Sequence, residues 1–571
     1  MKTTHHLAAL LLALHGAACA QPQPAGGAGT IAGSIDFVLP AALASAPLSE
    51  LAARPPAAAR TQGAVFRLRM VRPELHARAA VAALTAEPGQ SSVPGNPALP
   101  GMPRVGTGGT VLNFDGIGVK AASPANVNAA VGETQYVQAV NDQIAVYRKH
   151  DGALLLGPVD SNTVFAGFGG SAGADACRQG TQGMPVVQYD KAARRWIVSQ
   201  SAAAGTGGTQ YQCIAVSRAP EATGSYSRYV FALQDATHAG IAGDAFRLAV
   251  WPDAYYLSMV TFDPAGETYR GARVCALGRA ALLAGARAAV RCRDLGPAFG
   301  PVLAADLDSA AAPPRDSANY LMALDFGADG RGEHLVLWRH SFTRDTLSAP
   351  VRIPVEPFTI ACPGSMGGAC IEQAGAERLG ALGDRLMPRL AYRNFGKRES
   401  LVANHSVQQL GAARDGPVGV RWYELRPAGG ALTVYQQGTH APDANSRWMA
   451  SIAMDRMGNI ALGYSVAGGA TPAGVRYTGR VRTQAPGRLE LEEVIVNGTG
   501  VQQGAAGRWG DLSAMALDPA DDCTFWYTQQ YIPSSGRFTW RTRIANFTFN
   551  NCKAVPAAPA PPLRPAALGA Q

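Results

Sequence analysis

Short apolar runs alternate with polar positions along most of this chain, and Gly, Asp, Asn or Pro interrupts them every few residues. Period-two alternation bounded by turn formers predicts strands and hairpins, and almost no segment keeps a helical period beyond two turns. One unit recurs: a strand of small and apolar residues, a turn opened by Asp, then a second, more aromatic strand. It reads MPVVQYDKAARRWIVSQS from Met184, FRLAVWPDAYYLSMV from Phe246, MPRLAYRNFGKRESLVANHSV from Met387, MASIAMDRMGNIALGYSV from Met449 and DLSAMALDPADDCTFWYTQQY from Asp511. Weaker copies, GETQYVQAVNDQIAVYRK and NYLMALDFGADGRGEHLVLWRHSF, begin at Gly132 and Asn319.

Successive units start 52 to 73 residues apart. A repeat of that length with several strands predicts an all-β fold of the β-propeller type. A four-stranded blade cannot bury both its faces alone and must stack on neighbours. Seven copies argue for seven blades, six is the alternative if the unit near 132 or 319 is an insertion, and a two-sheet sandwich array comes third. The turn residues Asp190, Asp253, Asp455 and Asp518 are expected to bond their own backbone. Asp518, Asp521 and Asp522 leave a structural calcium open, although they lack the spacing of a calcium loop. No other cofactor is expected.

Composition changes at both ends. Residues 1–20 read as a signal peptide, with Lys2 as the charged end, Leu7 to Leu14 as the apolar stretch and Ala18-Cys19-Ala20 as the cleavage site. Cys19 also offers a lipid-anchor reading, against which Gly16 stands where an aliphatic residue is usual. Residues 21–104 form a partly disordered Ala/Pro/Gly-rich leader, with one strand expected from Ala64 to Val71 and a short helix around Pro73 to Leu84. The propeller spans 105–552, and 553–571 is a disordered Pro/Ala tail. No later apolar run approaches the roughly 18 residues that cross a bilayer. The expected location is outside the bacterial cytoplasm, secreted or in the periplasm or at the outer surface, and the expected state is a monomer.

The 65 Gly and 39 Pro suit a turn-dense body, and with only 16% charged residues the chain is not a charge-rich disordered protein. The net charge of +9 rests almost wholly on arginine, since the chain has six lysines. No basic run exceeds two residues, so no nucleic-acid partner is expected.

Beyond Cys19 the chain has eight cysteines, an even number in an exported protein, which predicts four disulfides. The spacings favour Cys177 with Cys213, Cys275 with Cys292, Cys362 with Cys370 and Cys523 with Cys552. No C-x-x-C pair exists, and no histidine stands at ligand spacing from a cysteine, so no metal is expected there.

Gly169-Gly170-Ser171-Ala172-Gly173 matches G-x-S-x-G, but its flanks read as loop and not as the strand and helix that a nucleophile elbow requires. His405, within SLVANHSV, is expected to be a satisfied structural histidine. The informative pattern appears when the repeats are superposed. Gln182, Asp244, Arg385 and Arg447 precede the first strand of four units, and Arg508 and Asp511 bracket the same position in the last. First strands line a propeller's channel, so these six residues are expected to form a polar ring at one mouth. Arginine suits bidentate capture of a carboxylate or phosphate. The competing expectation is that the ring pairs internally and merely closes the channel. Trp448, Trp509, Tyr255, Tyr256, Trp526 and Tyr527 lie close by, and second-strand aromatics of this kind are expected in the core between blades.

The segments RWGDLSAMALDPADDCTFWYTQQY (508–531) and WRTRIANFTFNNC (540–552), together with VGETQYVQAVN, VWPDAYYLSM and RWMASIAMDRMGNIALGYSV, resemble a family of large exported bacterial proteins of uncharacterised function. The resemblance runs from Gly116 to Cys552. It implies an extracellular β-propeller and brings no catalytic residues. The architecture is also similar to that of the sialidase superfamily, whose arginine triad holds a carboxylate. The chain departs from that pattern: it has no S-x-D-x-G-x-T-W box, and Arg352-Ile353-Pro354 sits mid-chain. Two functions follow as expectations. One is binding of an extracellular glycan or protein at the ring-bearing mouth. The other is a glycan-active hydrolase or lyase, with Asp244 or Asp511 as acid/base and Arg385, Arg447 and Arg508 clamping an acidic sugar.

Overall fold

The computed structural model describes residues 33–54, 64–65, parts of 71–79, and 109–552 apart from short interruptions. The signal peptide, most of the expected strand and helix between 64 and 84, and the tail lie outside the described residues.

The fold is a β-propeller. Among the described residues its body comprises seven antiparallel units of four principal strands, at residues 127–160, 186–232, 242–294, 303–359, 387–440, 446–496 and 514–547. The seventh takes its fourth strand, Asn113–Gly118, from the beginning of the body, pairing Ile544 with Phe114 and Arg543 with Asp115. The first strands of the units are Val127–Val131, Val186–Asp190, Ala242–Val250, Leu303–Leu307, Met387–Asn394, Ser446–Met454 and Ala514–Leu517. They contact one another in a closed cycle, and the last touches the first. Between the fourth and fifth units the inner strands also pair in parallel, Ala305 with Leu390 and Leu307 with Tyr392.

Large aromatics fill the wedges between units, because each sheet is apolar on both faces and has no other way to cover them. Trp526 of the seventh unit stacks on Tyr136 of the first with ring centroids 5.0 Å apart. Tyr477 and Phe547 meet at 3.8 Å, and Trp251 meets Tyr392 at 4.8 Å. Trp448 and Trp509 are buried against each other at 5.4 Å, so both belong to the core.

The four disulfides join the expected pairs, Cys177–Cys213, Cys275–Cys292, Cys362–Cys370 and Cys523–Cys552. Two features depart from the sequence expectation. The leader's strands also lie ahead of the stretch where one was expected: Gly33–Leu39 adds a fifth strand to the third unit beside Ala288–Asp294, and Leu43–Ala44 borders the second. A helix, Ala172–Gln179, follows Ser171, which caps it by accepting from the Ala174 amide at 3.2 Å. The preceding element is a 3-10 turn at Ser161–Phe165, so the strand that a nucleophile elbow needs is missing there.

Candidate ligand-binding cleft

Several inner strands open with a bulge. In the third unit the register shifts between Asp244 and Arg247, and Ala245 takes the left-handed φ of 52°. The sixth unit repeats this between Trp448 and Ser451, with Met449 at 51°, and Met184 holds 52° just before Val186–Asp190. Left-handed backbone is costly for a branched or long side chain, and bulges re-aim the residues around them. Here the bulge turns both Asp244 and Arg247 toward a cleft at one end of the ring.

That cleft encloses about 610 Å³ and is lined by Gln182, Asp244, Arg247, Arg385, Arg508 and Asp511, with Ser201 and Gln210 on its wall. Five of the six residues expected at the mouth therefore meet. Gln182 accepts from Ser201 Oγ at 3.0 Å and from Gln210 Nε2 at 2.7 Å. Gln210 in turn accepts from the Gly243 amide at 2.6 Å, which ties the second unit to the bulge of the third. The remaining wall is held by ion pairs. Arg385 grips Asp384 with Nε 2.7 Å from Oδ1 and Nη2 3.0 Å from Oδ2. Arg508 Nη2 lies 2.7 Å from Asp511 Oδ2, while Asp511 Oδ1 is buried without a hydrogen-bond partner.

Arg447 is the sixth expected residue, and it is not part of the cleft. It is fully buried in the joint between the fifth and sixth units. Its Nε and Nη2 reach Glu492 at 2.8 and 2.9 Å, Nη1 and Nη2 hold Asp443, and Nη1 also donates to the Asn445 carbonyl at 2.8 Å. His440, Tyr464 and Arg476 converge on the same Glu492 carboxylate. Arg447 closes a joint between sheets, so its expected ligand-binding role is corrected.

Below the cleft the channel narrows to a cavity of about 60 Å³ lined by inner-strand residues. Apart from Arg247, its charges are paired: Arg389 Nη2 reaches Asp306 at 2.8 Å and Asp308 at 2.9 Å, and Lys191 adds a contact to Asp308 at 3.3 Å. At the far turns Asp518 bonds Lys149 and Trp526, Asp521 bonds Thr524, and Asp522 is held by Arg393.

No family model matches this sequence, and no curated protein sequence matches it. Among solved structures the chain is similar to an α-L-arabinofuranosidase from Fusarium graminearum in complex with an iminosugar inhibitor. The TM-score is 0.36 at 7% identity, over 78% of this chain and 99% of that one. It is also similar to an ulvan lyase of polysaccharide lyase family PL25, with a TM-score of 0.34 at 11% identity over 74% and 93%. A third likeness is to Trypanosoma rangeli sialidase in complex with sialic acid, with a TM-score of 0.32 at 10% identity over 63% and 53%.

Sequence reasoning missed Arg247 and Gln210. Arg247 lines both the cleft and the cavity beneath it. Plain alternation from Asp244 would send position 247 to the opposite side of the strand, and only the bulge brings it back.

Proposed function

We propose that the chain is an exported seven-bladed propeller, with the leader through 104 and the tail from 553 flanking it. It works as a monomer and binds an extracellular glycan or protein ligand in the cleft at one channel mouth. The observation that carries this reading is the convergence of Gln182, Asp244, Arg385 and the neighbouring Arg508 and Asp511, from four separate units, on one cavity of about 610 Å³. A concave site with a few convergent polar groups is where ligands bind. The signal-like residues 1–20 and the four disulfides support an oxidising, extracytoplasmic setting. No helix among the described residues is long and apolar enough to cross a membrane.

Binding is favoured over turnover by the state of the carboxylates. A glycosidase sets two opposed carboxyl groups about 5 to 10 Å apart with a sugar between them. Here Asp511 is committed to Arg508, and Asp244 Oδ1 accepts from the Ala245 amide at 2.7 Å. The test is a glycan and peptide binding screen on the whole chain, repeated with Gln182→Ala and Asp511→Asn. Ligands of the wild type should be lost in both variants. Turnover of an acidic polysaccharide by the wild type that vanishes in Asp511→Asn would replace the binding reading with the hydrolase or lyase one.

A further inference from the structure

Three arginines line the cleft, and two of them are spent. Arg385 is neutralised by Asp384, and Arg508 by Asp511. Arg447, the third arginine of the expected clamp, is consumed by Glu492 and Asp443. Arg247 is different. Its Nη1 donates to the Phe246 carbonyl at 2.7 Å, and among the described residues no carboxylate stands within ion-pairing distance of it. It is partly buried at the neck where the cleft meets the channel cavity. Burial pushes its guanidinium down to about 10, Arg385 adds like-charge repulsion, and Asp511 and Asp244 attract it only through space.

A guanidinium presents five donors in a planar fork, and one backbone carbonyl satisfies one of them. A partly desolvated cation left so incompletely bonded gains from an anion that completes its donors. The wall around it offers hydrogen-bonding amides at Gln182 and Gln210, which suit hydroxyl groups.

We propose that Arg247 is the anion anchor of the cleft, taking the carboxylate or sulfate group of an acidic saccharide. This rests on the cleft being the binding site, and it moves the charged contact from the three arginines of the sequence expectation to a fourth.

The test has two arms, both on the full chain. In the first, phenylglyoxal labelling is mapped by mass spectrometry, with and without inorganic sulfate at constant ionic strength. Arg247 should react faster than Arg385 and Arg508, and sulfate should slow it severalfold. Equal rates at the three arginines, or no protection by sulfate, would overturn the anchor. In the second, polygalacturonate and its methyl ester are titrated into the wild type and into Arg247→Gln. The acid form should bind roughly 10- to 100-fold more tightly than the ester, and Arg247→Gln should erase that difference. If both forms bind equally to both proteins, yet Gln182→Ala abolishes binding, the cleft stands and the anchor falls. If neither form binds while sulfate still protects Arg247, the saccharide falls as the class of ligand. Binding that Gln182→Ala and Asp511→Asn leave unchanged would remove the cleft itself.

Discussion

Arg279 closes a bidentate ion pair on Asp190, with Nε 2.5 Å from Oδ2 and Nη2 3.0 Å from Oδ1. The same carboxylate accepts from the Ala193 amide at 2.9 Å within its own turn and from Tyr255 Oη at 2.8 Å. One side chain thus shapes the hairpin of the second unit and fastens the third unit to it. Asp190→Asn keeps a turn acceptor but removes the charge from a buried pair, and should cost about 3 kcal/mol. Asp190→Ala also loses the turn bond and should cost more. Urea unfolding of the two variants checks this, and losses below about 0.5 kcal/mol would place the pair among surface bridges.

Glu492 links stability to acid. Burial alone would raise its pKa, but hydrogen bonds from Arg447 and His440 outweigh burial and hold it far below the ordinary 4.5. The folded state therefore binds fewer protons than the unfolded state below pH 4.5, so the contribution is complete above that pH and is lost as the pH falls. Glu492→Gln should lose about 3 kcal/mol at neutral pH, and its deficit relative to wild type should shrink on acidification. A deficit that stays constant from pH 7 to pH 3 would refute this.

His405 acts over a higher window. The ring is buried, stacked parallel to Tyr423, and its Nε2 lies 2.9 Å from the Tyr423 hydroxyl. Burial, with a smaller repulsion from Arg421, lowers it to about 3 from 6.5. Between these values the unfolded chain takes up a proton that the folded one refuses. Stability should drop as the pH falls through 6.5, with His405 adding up to about 1.4 kcal/mol per pH unit. His405→Gln should flatten that slope in pH-resolved thermal melts, and an unchanged slope would show that the ring does not control it.

Gly116 tests the closure of the ring. A Cβ there would lie 2.4 Å from Gln138 Oε1 and 2.7 Å from Thr542 Oγ1. The Gln138 amide cannot swing aside cheaply, because it accepts from the Ile117 amide at 2.7 Å and donates to Thr528 at 2.7 Å. Gly116→Ala should therefore destabilise by about 1 to 3 kcal/mol through overpacking where the seventh unit meets the first. Calorimetry checks it, and an unchanged melting temperature would mean that the closing strand tolerates displacement.

Much of the fold was legible because the repeat is written in local chemistry. Asp190, Asp455 and Asp518 each bond backbone amides just beyond them, which is the turn role that their spacing implied. The cysteines pair with sequence neighbours because each staple lies within or beside one unit. What stayed hidden depends on distant partners. The strand Gly33–Leu39 is fixed by backbone pairing to Ala288–Asp294, and its short alternation in an Ala/Pro/Gly-rich leader does not show which edge it joins. Arg447 shares its repeat position with cleft residues, but Glu492, 45 residues onward, captures it. Arg247 was concealed by a bulge that alternation cannot show.

The most direct measurement of the central claim is amide hydrogen exchange on the full chain with and without a ligand from the binding screen. Ligand binding in the cleft should protect residues 182–184, 243–247 and 508–511 together, since they come from three separate units and meet at that cavity. Protection confined to the opposite turns around Lys191 and Asp522, or to outer strands, would contradict it.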